Sequence, residues 1–489
     1  MQLNNNNLAL LQGVTTPNYD RSQLTAGIVH IGLGNFHRAH QAWYLHQLMQ
    51  RDTALDWAIV GAGVRANDEQ MRQRLAQQEY LTSLIELDPQ STVVEVVGSM
   101  VDFVPVTAGN QALIERMSAA DIRIVSLTVT ESGYYLDGPS KGFNAEHADI
   151  QHDIANPQQP MTGFGAMIEA LRRRRAAGLG PFTIMSCDNL QGNGDITKQT
   201  VLSLARLQDA ELSTWIEAIV TFPNSMVDCI VPATGAKELK LIQELGIDDS
   251  APVTHEPYRQ WVIEDSFCAG RPAWEKVGAT LTNDVHAYET MKIRILNGGH
   301  QVIAAAGDLL GIETIAGCMA NKQVSGLFYS VEQEIAPHVA PVPEITPQAY
   351  IELIAQRFAN SKIFDTTRRV AYDGSSRHPG FLMASVNDSL AKGTSVSGLA
   401  LVSAIWARYC LGIREDGSEI MANDPQWADL QQRADKAKFE PIVWLENTSV
   451  YGDLASNTSF TEAFAGWLSL IYVQGLEATL AEFLLAEAS

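Results

Sequence analysis

An α/β fold is what this sequence predicts: a doubly wound parallel sheet in the N-terminal part and a mostly α-helical C-terminal part. Three observations carry it. Short β-rich runs alternate with helical patterns through the first half, the first such run ends in a Gly-x-Gly turn, and strand-like runs fade after about Leu281.

Residues 27–31, 57–64, 122–129 and 182–186 read as buried strands, each a short apolar run. Between them, 40–49, 68–78 and 111–119 carry helical spacing. Beyond Leu281 the pattern becomes long helices at 301–310, 347–359, 398–411 and 464–485. The last is expected to start at Ser459-Phe460-Thr461-Glu462, which has capping-box spacing, and Gly475 is a candidate break within it. The expected domains are residues 1–285, binding a dinucleotide, and 286–489, mostly helical and holding substrate and catalytic groups. Ligands favour clefts between domains.

With 489 residues the chain can bury a large core, and 46% hydrophobic with 18% charged residues is the composition of a soluble globular protein. A net charge of −22 argues against nucleic-acid or anionic-membrane partners, which need clustered cations. The one basic run, Arg172-Arg173-Arg174-Arg175, reads as the solvated last turn of an amphipathic helix, where positive charge suits the dipole. Five scattered cysteines without a Cys-x-x-Cys pair suggest reduced thiols in a cytoplasmic protein. No signal peptide is expected from Asn4-Asn5-Asn6-Asn7 and the short apolar stretch after it, and no run of about 18 apolar residues suggests a membrane span.

The strand at 27–31 runs into Gly32-Leu33-Gly34-Asn35-Phe36-His37 and then a helical pattern. Glycines there let backbone amides approach a pyrophosphate at the helix start, so Gly32, Gly34, Asn35 and Phe36 are candidate cofactor contacts of a Rossmann-type domain. His37 stands where the fingerprint has its third glycine, so close helix–strand packing must be solved differently. Asp68, past the second strand, is the candidate partner of the adenosine ribose and favours NAD, although nearby Arg65 leaves NADP open. His37 and His40 lack the cysteines or carboxylates of a metal site, and no metal is expected. Cys187 lacks a partner histidine and is not read as a nucleophile.

The other chemical signal is Met291-Lys292-Ile293-Arg294-Ile295-Leu296-Asn297-Gly298-Gly299-His300. At 100° per residue, Asn297 lies about 140° and His300 about 80° around an α-helix from Lys292, so all three fit one broad face. They could supply a proton acceptor, an oxyanion donor and an orienting group; the plainer alternative is a surface lysine before a glycine-rich helix end. A lysine base needs its ordinary pKa of about 10.4 lowered, and desolvation in a closed cleft is the expected cause, since Arg294 points elsewhere on the helix.

These motifs occur in order with Thr128-Val129-Thr130-Glu131, Ser186-Cys187-Asp188-Asn189, Phe222-Pro223-Asn224-Ser225-Met226-Val227-Asp228 and Arg369-Val370-Ala371-Tyr372-Asp373-Gly374. Together they resemble the polyol-specific long-chain dehydrogenases over nearly the whole chain. The resemblance implies zinc-independent, NAD-dependent oxidation of a polyol secondary alcohol to a ketose, with D-mannitol and D-fructose the expected pair. It implies Lys292 as general base, Asn189 and Asn297 as oxyanion donors and His300 as substrate orienter. Asp228, Arg369 and Arg377 would bind polyol hydroxyls, and Glu131 would lie near the nicotinamide or a water path. Taken singly, Asn189 could be a strand-end cap, Asp228 a helix-start acid, and the two arginines partners of surface acids. Ser132 and Arg377 depart from the family pattern, which leaves D-arabinitol, sorbitol or hexuronate (fructuronate, tagaturonate) as alternative substrates. A non-catalytic NAD sensor is the alternative from another class. The resemblance also implies a monomer.

Overall fold

The computed structural model describes residues 1–137 and 142–487. The chain divides into two compact units, Met1–His286 and Ala287–Ser489.

The first unit is built on a five-stranded parallel sheet: β1 (Ala26–Ile31), β2 (Ala58–Ala62), β5 (Met100–Phe103), β6 (Ile124–Leu127) and β7 (Thr183–Ser186), in the order β5-β2-β1-β6-β7. Every residue of β1, β2, β6 and β7 is buried, because helices cover both faces of a parallel sheet. The strand period of two sorts the side chains. Val29, Ile31, Val125 and Leu127 pack into one core, and Ile28, Ile59, Ile124 and Met185 into the other.

Two further sheets were not legible as such. The hairpin β3 (Thr82–Leu87) and β4 (Thr92–Val97) adds β9 (Val253–His255) in parallel and closes a small core of its own around Leu81, Ile85 and Val96. A second group, β8 (Ser225–Asp228), β10 (Gln260–Glu264) and β11 (Thr280–Thr282), has the order β11-β10-β8. The basic run ends the helix Gly163–Ala176, but it is not simply solvated. Arg172 and Arg173 pair with Glu169, while Arg174 is buried and donates to the carbonyls of Met117, Ala119 and Gly180. An arginine stem can bury itself when its planar head finds carbonyl partners.

The described residues of the second unit form helices and isolated bridges, without a sheet. The helix Gly298–Leu309 lies at its centre, buried over most of its length, and packs against Lys322–Ile335 and Ser397–Tyr409. The C-terminal pair Thr458–Gln474 and Leu476–Glu487 is interrupted at Gly475, whose φ of +85° suits glycine. The expected capping box does not start this pair: Asn457 caps it two residues earlier by accepting from the Phe460 amide. Among the described residues no helix is long and apolar enough to cross a membrane.

Candidate active site

All strands of a parallel sheet present their C-terminal ends at one edge, and ligands bind there where the strand order reverses. In the first unit that reversal lies between β1 and β6. The segments beyond β1, β2, β6 and β7 carry Gly32 to Phe36, Asp68, Glu131 and Asn189, so one sheet edge gathers most of the first unit's predicted site residues.

At the end of β1, Gly32 has φ +91°, and a Cβ there would lie 2.2 Å from the Thr128 carbonyl oxygen. No other residue fits. Gly34 is exposed, and the nearest atom to its would-be Cβ is 4.0 Å away, so its backbone is open to a close-approaching anion. The helix Asn35–Ala39 begins next. The Asn35 side chain is engaged with Pro232, Thr234 and Arg38, so its backbone amide, in the first turn of that helix, is the candidate donor of this residue. Phe36 stacks on His40 at 4.9 Å.

The missing third glycine is replaced by an aromatic contact. The His37 ring stacks at 3.5 Å on that of His30 in β1, and His30 is held by Ser126 and Thr128 hydroxyls at 2.8 Å each. Burial pushes His30 down to about 3 and His37 well below the usual histidine range, so both rings are neutral and pack as flat spacers. Among the described residues no cluster of His, Cys, Asp or Glu could hold a metal.

Past β2, the Asp68 carboxylate accepts the Arg65 amide at 2.9 Å and lies against Gly63, where a Cβ would come within 2.2 Å of the Asp68 Cβ. Glycine at 63 is what lets this acid sit at the strand end. Together the open Gly34 backbone and the strand-end acid fit a dinucleotide.

Just past β7 stands a residue that the sequence motifs did not single out. Asp188, 8% exposed, accepts hydrogen bonds from the amides of Val129 (2.9 Å) and Thr130 (2.8 Å) and from the Tyr134 hydroxyl (2.6 Å). Burial pushes its carboxyl up, and the three donors pull the other way. Thr130 has φ +65°, an outlier for a β-branched residue that costs about 1–3 kcal/mol. Exposed Glu131 follows it, and exposed Asn189 follows Asp188. The Asp-Asn dipeptide signalled a turn; nothing local signalled that the acid reaches back 59 residues to Val129.

Asn193 joins this corner to β8. Its amide donates to the carbonyls of Asp188 and Ser225 and accepts the Ser225 amide, and the Ser225 hydroxyl donates to the Ser186 carbonyl. Buried Asp228 ends the same strand, in a different sheet from the dinucleotide edge. Cys187 is buried, its thiol pushed up by desolvation and by the neighbouring Asp188 charge, as an inert thiol should be.

In the second unit, the segment 292–297 departs from the α-helix assumed above. The helix Val285–Met291 passes into a π-helical turn, Lys292–Asn297, whose five-residue step is visible in the Gly298 amide donating to the Ile293 carbonyl. Hydrogen bonds from i to i+5 widen the turn and bring residues five apart towards one line, so Lys292 and Asn297 lie closer in angle than α geometry allows. Lys292 is 7% exposed and Asn297 half-buried. Arg294 points away into an ion pair with Asp388 at 2.6 Å.

The two glycines that follow are closely packed, Gly299 more tightly than Gly298. A Cβ on Gly298 would lie 3.3 Å from the Phe381 carbonyl, in a second π-helical turn, Pro379–Met383. One on Gly299 would lie 2.7 Å from the Phe328 ring and 2.9 Å from Glu332 Oε1. Burial pushes the Glu332 carboxyl well above the usual range, which makes it a neutral acid. His300 stacks on Phe358 at 4.0 Å.

Arg369 sits on the turn Thr367–Val370, exposed, with Nε and a terminal nitrogen each 2.6 Å from Asp365. Arg377 donates to the Val370 carbonyl at 2.8 Å, and the same carbonyl accepts from Gln301, next to His300. Arg368, Arg369, Arg377, Tyr372 and Asn423 line a cavity of about 490 Å³. The fold therefore joins the two arginines in one cavity and, through the Val370 carbonyl, ties the Arg369 turn to Arg377 and to the helix that carries His300.

Comparison with known proteins matches residues 26–276 to the mannitol dehydrogenase Rossmann domain and residues 284–472 to the mannitol dehydrogenase C-terminal domain. The mannitol 2-dehydrogenase of Cereibacter sphaeroides is 54% identical over 98% of this chain and 100% of its own length. A Phaeosphaeria nodorum mannitol 2-dehydrogenase is 38% identical, over 99% of this chain and 86% of its own. Among solved structures, the Pseudomonas fluorescens mannitol 2-dehydrogenase in ternary complex with NAD and D-mannitol superposes with a TM-score of 0.86 at 40% identity, covering 99% of this chain and 100% of its own. A D-sorbitol dehydrogenase in substrate-free form gives 0.91 at 33% identity, covering 98% and 100%.

Proposed function

The chain belongs to the mannitol dehydrogenase family, and we propose that it interconverts D-mannitol and D-fructose with Lys292 as the general acid/base. It is an NAD-dependent polyol dehydrogenase. The observation that carries the proposed chemistry is the π-helical turn, which aligns a buried lysine with an asparagine five residues on.

Bound NAD supplies a hydride acceptor at its nicotinamide ring. The open backbone at Gly34 and the amides of Asn35 and Phe36 would hold its pyrophosphate, and Asp68 its adenosine ribose. Glu131, at the switch-point edge, would lie beside the nicotinamide end. Lys292 accepts the proton of the reacting hydroxyl, and in the reverse direction returns it to the ketose oxygen. Asn189 and Asn297 donate amide hydrogens to the charge developing on that oxygen. His300, fixed against Phe358, orients the substrate. Asp228 accepts from polyol hydroxyls, and Arg369 and Arg377 donate to them. The protein works as a cytoplasmic monomer; sedimentation of the purified enzyme tests the oligomeric state, and fractionation of the cells that produce it tests the location.

The experiment follows NADH absorbance with D-mannitol, D-sorbitol and D-arabinitol, comparing the parent with Lys292→Ala. D-Mannitol should give the highest kcat/KM, and the variant should lose at least about 100-fold in kcat, or about 2.7 kcal/mol of barrier. A loss below about tenfold refutes the base assignment. D-Sorbitol is the second reading, favoured by the superposition onto a D-sorbitol dehydrogenase, and a higher kcat/KM with it would replace D-mannitol.

A further inference from the structure

We propose that Asp188 is a positioning residue for hydride transfer, its carboxylate building the corner at residues 128–131 that holds Asn189 and Glu131 at the switch-point edge. This rests on the reading of Asn189 as an oxyanion donor.

The carboxylate spends its two oxygens on three donors from one segment: Val129 N and Tyr134 Oη on Oδ2, and Thr130 N on Oδ1. Backbone at Thr130 in the left-handed region is not where a β-branched residue rests by itself, so something must pay that strain, and the bond between Thr130 N and Asp188 is the contact placed to do so. The same corner touches the phosphate loop. Thr128 Oγ1 donates to the Gly32 carbonyl, and the Thr128 carbonyl is the atom that forbids a side chain at 32. The Asp188 carbonyl is clamped by Asn193, so the peptide leading into Asn189 is held from both sides. Tyr134 is fully buried, and its hydroxyl also meets Ser186 at 2.6 Å, which ties the far end of the corner to β7.

Replacing the acid by its isostere separates charge from size. In Asp188→Asn the side chain keeps one acceptor oxygen and gains two N–H donors, one of which must face a backbone N–H. Hydrogen exchange reads the corner directly, without turnover: the Val129 and Thr130 amides should exchange at least about tenfold faster in the variant, while β6 exchanges as in the parent. With NAD and D-mannitol, kcat should fall about 10- to 100-fold, against a change of less than about threefold in the NADH dissociation constant measured by fluorescence. Adding Thr130→Gly, which removes the strain, should recover at least about threefold of the lost kcat. Tyr134→Phe deletes a single donor and should show the same faster exchange at Thr130 to a smaller degree. Unchanged amide exchange in Asp188→Asn, or faster exchange with parental kcat, would overturn the inference. Asn189→Ala is the separate control: parental kcat there removes the oxyanion reading, whereas the exchange result still judges whether Asp188 holds the corner.

Discussion

Gly299→Ala tests whether packing behind the π-helical turn controls the chemistry proposed for Lys292 and His300. The added Cβ would lie 2.7 Å from Phe328 Cε2 and 2.9 Å from Glu332 Oε1. Carbon atoms in contact prefer about 3.5–4.0 Å, so the Phe328 ring must retreat by about 1 Å. It has little room, being fully buried and edge-on to Phe358 at 5.8 Å, and Phe358 is the ring on which His300 stacks. Overpacking of this kind costs about 1–3 kcal/mol, and alanine returns about 1 kcal/mol in helix propensity. The net expectation is a destabilisation of about 0–2 kcal/mol, a fall in Tm of a few degrees. Activity should suffer more, because a misplacement of about 1 Å at a catalytic group can cost about 100-fold. The assay is thermal melting together with steady-state NADH production, run on Gly299→Ala, Phe328→Leu and the double variant. Leucine lacks the ring atom that the new methyl meets, so the double variant should melt higher than the two single losses sum to, with a coupling of about 1 kcal/mol, and should regain part of its kcat. If Gly299→Ala keeps parental kcat, or Phe328→Leu restores nothing, the route from Gly299 through Phe328 and Phe358 to His300 is refuted.

Four further outcomes follow from the same geometry. Burial holds His30 and His378 down to about 3, below the ordinary histidine value in the unfolded chain; their contribution is intact above about pH 6.5 and drains as pH falls towards 3, at about 1.4 kcal/mol per pH unit for each. Urea melts at pH 7, 6 and 5 check this, and His378→Leu should flatten the slope by about one proton's worth. Asp68→Ala removes the strand-end carboxylate proposed to hold the adenosine ribose and repel a 2′-phosphate, so the ratio of kcat/KM for NADP over NAD should rise at least about tenfold. Arg369→Ala strands the buried Asp365 carboxylate and removes a cavity-lining guanidinium, so KM for the polyol should rise about tenfold, read from initial rates. A thiol reagent on the native protein should label half-buried Cys268 before buried Cys187, checked by peptide mapping after brief exposure.

Much of the fold was legible because its signals are local. The strands at 27–31 and 122–129 announce themselves as apolar runs with buried side chains on both faces, and Gly475 marks a helix break that needs nothing distant. The Gly32 and Gly34 turn was readable for the same reason, as was the set of polar residues from Lys292 to His300. The hairpin β3–β4 and the β8–β10–β11 sheet were harder to see: β8 pairs with β10 some 30 residues further on, and no turn signal joins them. The cap at Asn457 was misplaced by two residues because Ser459 offered a competing local pattern.

The sequence by itself determined the alternation of strands and helices, the glycine turn and the order of the motifs, since each is written in the periodicity and side-chain chemistry of neighbouring residues. Tertiary structure alone decided how those pieces are held. It winds 292–297 as a π-helix against the turn at Pro379–Met383, fills the place of a third glycine with a His30–His37 stack, buries Arg174, and brings Asp188 back to Val129 and Thr130. The π-helical turns, Arg174 and Asp188 match groups far apart in the chain, and the His30–His37 stack is held by Ser126 and Thr128 from a distant strand; there steric fit and the need to satisfy buried polar atoms outweigh local preference.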